Sequence, residues 1–145
     1  MTRRIEKAIT DRGEQALMAL HDYVEACGLE AALVELVYVR VSQMNGCAYC
    51  LAMHGALARD HGVDAVRLDT LAAWRGSAAF TERERAALAW AESVTDVAQG
   101  VPDAEYARAR AAFDDRELAH LTWAVVAINA WNRAMVAFRV PIGED

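Results

Sequence analysis

The chain is poor in the residues that break helices and in those that staple small folds. Its 145 residues include two prolines, eight glycines and three cysteines. A disulfide-stapled secreted scaffold is excluded, because it needs more cysteines and an even number of them. Scarce proline beside abundant alanine excludes a loop-rich chain and favours helix. Lysine is nearly absent: Lys7 is the only one, and the remaining positive charge is arginine. With 15 basic and 21 acidic residues the formal net charge is −6. No broad basic face is left to neutralise phosphates, so nucleic acid is not an expected partner. No apolar run follows the basic start, so no secretory signal is read there. The longest apolar stretch, Leu118–Phe138, carries His120, Asn129, Asn132 and Arg133. Those groups are costly in hydrocarbon, so a buried helix is expected and not a membrane span. These readings place the protein in the cytoplasm, where thiols stay reduced unless they are catalytic or metal-bound.

What is present fits one ordered domain over residues 1–145, with 55% hydrophobic and 25% charged residues and a length that suits one core. Apolar residues recur at helical spacing from Glu6 to Cys27, with Gly28 as the stop. Leu29–Met44 contains a β-branched run typical of a strand, but it is long, opens on Glu30-Ala31-Ala32 and lacks Gly and Pro. It is read as a buried helix. Asn45-Gly46 breaks the chain, and Cys47–His61 resumes as a helix stopped by Gly62. Asp64 caps a shorter helix reaching Trp74. Thr81-Glu82-Arg83-Glu84 is a capping box for a helix reaching about Val97. Pro102-Asp103 starts another, and Asp114–Glu117 caps the long apolar helix to Phe138. The expected fold is therefore all-α, a bundle of about six to seven helices with the Cys-x-x-Cys at the N-terminus of a central one. Arg3, Arg4 and Lys7 read as a solvated basic tail.

Chemistry concentrates between Glu35 and Gly62. Cys47 and Cys50 are three apart and His54 lies four beyond Cys50, a spacing that puts all three on one helical stripe. Cys47 falls in the first turn, where free N–H groups and the helix dipole stabilise a thiolate. His54 is placed to take a proton from Cys50. A dithiol with a neighbouring base has what peroxide reduction and disulfide exchange require. Glu35 sits inside an apolar run, and a buried carboxylate must be paired, hydrogen-bonded or protonated. Arg40 or Arg133 would serve as a purely structural partner for it. Ser42 shares its face.

Other readings of the same residues are chemically distinct. Cys47, Cys50, His54 and Glu35 could supply four zinc ligands, although structural zinc sites usually carry a second cysteine pair, absent here. Glu35 and His54 could also run cofactor-free acid/base chemistry with the cysteines as bystanders. A thioredoxin site is disfavoured by the missing βαβ pattern. Cys27, His21 and His120 are read as non-catalytic, and His61 as a partner of the helix C-terminus. Trp74, Trp90, Trp123 and Trp131 are read as core or subunit-interface anchors. Asn132 and Arg133 could hydrogen-bond the site or a neighbouring subunit.

At Glu35, Cys47, Cys50 and His54 the chain resembles the alkylhydroperoxidase D-like (AhpD-like) branch of the carboxymuconolactone decarboxylase family. The flanking Arg40–Gly46 and Thr81–Leu88 segments are similar to that family too. The resemblance implies an all-α fold, with Leu29–Met44 helical, and assembly into a homotrimer or homohexamer. It also implies an antioxidant thiol peroxidase or dithiol–disulfide oxidoreductase that uses no cofactor. Cys50 would attack peroxide, His54 and Glu35 would relay its proton, and Cys47 would resolve the sulfenic acid as a disulfide. A dithiol reductant, lipoyl-type or thioredoxin-like, would then restore both thiols. On the residues alone the order stays open, since the dipole favours Cys47 as the thiolate and His54 favours Cys50. The chain departs from the family at Tyr49, where better-studied members have a histidine. A phenol with a pKa near 10 is a poor proton shuttle at neutral pH.

Overall fold

The computed structural model describes residues 2–144. It contains seven α-helices: α1 Lys7–Ala26, α2 Ala31–Asn45, α3 Ala48–Asp60, α4 Ala65–Thr70, α5 Glu82–Thr95, α6 Asp103–Ala112 and α7 Asp115–Phe138. Short 3-10 turns follow α4 (Leu71–Gly76) and α5 (Val97–Gln99), and there is no strand among the described residues. No described helix is long and apolar enough to cross a membrane. The expected all-α bundle is what the chain forms.

The β-branched segment Leu33–Val41 is helical, and its burial explains why. α2 packs against α3, α5 and α7, so its side chains are covered on nearly every face. One face, with Val37 and Val41, meets Leu121, Val125 and Ile128 of α7 and Ala87 and Ala91 of α5. The opposite face, with Leu36 and Val39, meets Ala58, Leu71, Trp74 and Leu88. A helix buried all round has no polar face and so no amphipathic period. Each fully buried Leu or Ile contributes roughly 1.5–3 kcal/mol, which outweighs the few tenths that β-branched residues cost a helix. The fully buried alanines Ala58, Ala87, Ala91 and Ala124 sit where neighbouring helices pack.

The caps follow the sequence with two adjustments. Asp64 accepts the Arg67 N–H, as expected. Thr81 accepts the Glu84 N–H, but Glu84 does not close the box; its carboxylate takes both bonds from Arg67 Nη1. The complete capping box is at α7, between Asp114 and Glu117. The helix expected to reach Trp74 ends at Thr70, and Leu71–Gly76 tightens into a 3-10 turn with non-helical Ala73. The basic start of the chain is not a solvated tail. Arg3 bonds Thr10, Glu14 and Glu144, and the Arg4 N–H reaches Phe138 O. Carboxylates at both ends of the chain dock it onto α1 and the end of α7.

Glu92 of α5 is an electrostatic tie between layers. It accepts from Arg40 of α2 at 2.8 Å and from Trp74 Nε1 at 3.0 Å, and it also pairs with Arg75. Burial pushes its pKa up, but the hydrogen bonds from Trp74, Arg75 and Arg40 prevail and hold it below the ordinary value. A carboxyl group depressed in the folded state adds stability above its unfolded pKa, near 4.5, and that stability is lost as pH falls through the folded value. Glu92→Gln is therefore expected to lose about 2 kcal/mol at neutral pH and to lose less than wild type on acidification. Urea melts near neutral pH and near pH 3 check this; an unchanged pH dependence in the variant excludes the role.

Candidate functional site

The turn between α2 and α3 builds the site. Gly46 ends α2 in the left-handed region, φ 68°, where a side chain would cost roughly 1–2 kcal/mol. Cys47 follows in extended conformation as the N-cap of α3, and its N–H donates to Ser42 O at 3.1 Å. Cys47 is thus not on the helical stripe expected for it; Cys50 and His54 are within α3, and Cys47 stands just before it. The Cys50 N–H donates to Cys47 Sγ at 3.2 Å. The sulfur occupies the place a serine or aspartate oxygen usually takes at a helix start.

Cys47 and Cys50 are joined by a disulfide with their Cα atoms 5.3 Å apart. Both are buried and form a small cluster with Met135 of α7, against which Tyr49, Trp131 and Val140 pack. His54 is one turn beyond Cys50, and its Nδ1 lies 2.8 Å from Glu35 Oε2. Both groups are buried, His54 at 3% and Glu35 at 7% exposure. The contact holds the imidazole by its Nδ1 side and leaves Nε2 as the ring nitrogen not engaged by Glu35. The Tyr38 ring meets the His54 ring edge-on, with centroids 4.8 Å apart. The Tyr38 hydroxyl is buried without a hydrogen-bond partner. Burial first, then the charge of Glu35, push its pKa well above the ordinary phenol value, so it stays protonated and braces the imidazole by contact.

The structural partners considered for Glu35 are engaged elsewhere: Arg40 with Glu92, and Arg133 with Asn129. The four-ligand zinc arrangement is not assembled, since the sulfurs are bonded to each other and Glu35 faces His54. Among the described residues no group of three or more His, Cys, Asp or Glu is placed to hold a metal ion. Cys27 is a half-buried free thiol ending α1. His120 bonds the Tyr23 hydroxyl and His21 lies 3.3 Å from Glu25.

Among the described residues, cavities border the site on two sides. One, of about 310 Å³, is bordered by Cys47, Tyr49, Met135, Arg139, Val140 and Ile142. The other, of about 280 Å³, is bordered by Glu35, Tyr38, His21, Glu25 and His61. Cys47 thus borders the first opening and Glu35 the second.

Asn132, read from the sequence as able to hydrogen-bond the site, does so, but sequence reasoning missed the rest of the polar ladder that holds the turn. Asn45 Nδ2 donates to the side-chain oxygens of Asn129 and Asn132, each at 3.0 Å. Asn132 Nδ2 donates to Ser42 Oγ at 2.9 Å, and Asn129 Nδ2 to Thr95 Oγ1 at 3.0 Å. The end of α2 is thereby tied to α7 and α5, immediately before the cysteines. The available signal was Asn129 and Asn132, three apart on an otherwise apolar helix. Asn132 is fully buried, so Asn132→Ala removes the donor to Ser42 Oγ and one of the two acceptors of Asn45 Nδ2 and is expected to cost about 1–3 kcal/mol. Asn129→Ala, at a half-buried position, should cost less. Denaturant midpoints of the two variants check the order; equal, negligible losses would mean that the ladder does not hold the turn.

Three comparisons with known proteins identify the family of the chain. The sequence pattern of the carboxymuconolactone decarboxylase family matches residues 13–93, which include Glu35, Cys47, Cys50 and His54. The uncharacterized protein YdfG of Bacillus subtilis is 35% identical over 130 residues, covering 89% of this chain and 88% of its own. A crystal structure from Agrobacterium tumefaciens, of a protein of unknown function described as a candidate AhpD antioxidant defence protein, superposes with a TM-score of 0.94. It is 38% identical, and the match covers 99% of this chain and 100% of that one. An uncharacterized peroxidase-related protein from Silicibacter is 25% identical with a TM-score of 0.77, over 86% of this chain and 67% of its own. Matched by the family pattern over more than half its length, and by relatives well above the level of chance over nearly all of it, the chain belongs to the carboxymuconolactone decarboxylase family as an AhpD-like member.

Proposed function

We propose that this protein is an antioxidant thiol peroxidase or dithiol–disulfide oxidoreductase, with Cys47 and Cys50 as its reversible redox pair. The observation that carries the reading is a bonded, buried sulfur pair one helical turn from a histidine whose ring is held by a buried glutamate. The likeness to proteins described as antioxidant-defence and peroxidase-related supports it.

In the proposed cycle Cys50 gives its proton to His54, oriented by Glu35, and its thiolate attacks the nearer peroxide oxygen. The O–O bond breaks, Cys50 becomes a sulfenic acid, and the departing alkoxide takes the proton back from His54. Cys47 is suited to resolve: the N-terminus of α3 favours its thiolate, which attacks the Cys50 sulfur and expels hydroxide that is protonated to water. A lipoyl-type or thioredoxin-like dithiol then reduces the disulfide and is itself oxidised. Tyr49 in the place of an intervening histidine leaves His54 and Glu35 as the proton route. Exposed Trp123 and Val126 on α7 suit burial in a homotrimer or homohexamer.

Of the three thiols, one equivalent of peroxide should remove two and leave Cys27. Intact mass and thiol counting check this, and retention of all three in wild type defeats the proposal. Cys47→Ser and Cys50→Ser should form no internal disulfide. Glu35→Gln should slow oxidation by roughly 100-fold while reaching the same final thiol count. Turnover that survives the double serine variant would instead favour acid/base chemistry by Glu35 and His54.

A further inference from the structure

Cys47 and Cys50 are each 1% exposed, yet a thiol or disulfide reacts only by direct contact with its partner. Some part of their cover must therefore move. Met135, Trp131 and Ala134 of the cover belong to α7, and Tyr49 to α3. Both helices are packed into the bundle, α7 against α1, α2, α3, α5 and α6, so moving them opens the core. Val140 packs on the same pair but lies beyond the end of α7. It is the part of the cover that can leave.

The chain after α7 turns back over the sulfurs. Arg139 adopts the left-handed region, φ 53°; its N–H donates to Val136 O at 3.2 Å and the Val140 N–H to Met135 O at 3.0 Å. This pairing ends a helix by laying the second residue beyond it against the last turn. Here that contact is Val140 on Met135, beside the disulfide. The base of the turn is firm, since the Arg4 N–H donates to Phe138 O at 2.8 Å. The far end is not. Among the described residues, the one side-chain hydrogen bond or ion pair made by residues 140–144 is Glu144 to Arg3, at 3.5 Å. Arg3 is held independently by Thr10 at 2.7 Å and Glu14 at 3.1 Å, so it stays in place when Glu144 leaves.

Val140 also stands between two cavities. One, of about 310 Å³, reaches Cys47, and another, of about 470 Å³, is bordered by Arg3 and Glu144; Tyr49, Met135 and Val140 border both. Displacing Val140 joins the two and uncovers Cys47.

We propose that residues 139–144 form a strap that gates the Cys47–Cys50 pair, closed by Val140 and latched by Glu144 on Arg3. The use of such a gate rests on the redox reading of the pair. Closed, the strap shields the disulfide from chance reductants; released, it exposes Cys47. Glu144 does not border the cavity that reaches Cys47, so it acts on the sulfur through the strap.

The test measures how fast the oxidised protein is reduced by a neutral phosphine, tris(hydroxypropyl)phosphine, with free thiols counted over time. Phosphorus attacks one sulfur and the S–S bond breaks; water supplies the oxygen of the phosphine oxide and the two thiol protons. A neutral reagent keeps the rate insensitive to the charge removed at Glu144. Glu144→Ala should raise the rate about threefold, the worth of one half-exposed ion pair. Val140→Ala, which thins the cover itself, should raise it further. Salt at about 1 M should bring wild type towards Glu144→Ala and leave that variant unchanged. Labelling of Cys27, a half-buried thiol on the end of α1, should keep its rate throughout. Equal reduction rates in wild type and both variants would overturn the gate and leave the redox reading standing. A rise in Val140→Ala alone overturns the latch, and a parallel rise in Cys27 labelling shows general loosening and overturns the gate. If thiol counting finds no disulfide in peroxide-treated protein, the redox reading fails and the gate falls with it.

Discussion

A carboxylate cannot stay unpaired in an apolar interior, and the arrangement around the cysteines depends on how this chain meets that requirement at Glu35. Leaving such a group bare costs several kcal/mol, so α2 must present it to a partner, and the partner is His54 of α3. Because the bond crosses from one helix to the next, it sets the rotation of α3 about its axis. With His54 facing α2, Cys50 one turn earlier faces the same interior, and the chain entering α3 must bring Cys47 beside it. Chemistry and packing are therefore one constraint: the contact that orients the imidazole also registers the helix that carries the sulfur.

The long helix α7 bears on the same turn. α7 supplies Met135 beneath the sulfurs and the asparagines that grip Ser42 and Asn45. It is anchored at its far end by the Asp114–Glu117 box. The family pattern matched in this chain ends at residue 93, before α7 begins. The part of the chain that follows the pattern thus holds the turn in place and forms much of the wall around Cys47.

The sequence made the cluster between Glu35 and His54 legible because spacing is a local property. Glu35, Cys47, Cys50 and His54 lie within twenty residues, and helix geometry converts such intervals into neighbours. What stayed hidden is non-local or competitive. The Asn45–Asn129–Asn132 ladder joins residues 84 and 87 positions apart, and only the packed bundle reveals it. Glu84 matched a capping box, yet Arg67 offered its carboxylate a stronger, charged partner, and no local rule anticipates that competition. The strand-like α2 was decided by burial on both faces, which overrode β-branched propensity. Arg3 likewise looked like a tail because its acceptors, Glu14 and Glu144, lie at opposite ends of the chain.

The cap of α3 is an atom whose chemical state changes during the proposed cycle. As a disulfide sulfur, Cys47 Sγ offers the Cys50 N–H a neutral and weak acceptor. As a thiolate it offers a full negative charge to a helix N-terminus, which favours anions. Each reduction therefore strengthens the start of α3 and each oxidation relaxes it. In that cycle the helix start lowers the free energy of the reduced protein relative to the oxidised one, which biases the couple towards accepting electrons and makes the thiol pair a weaker reductant.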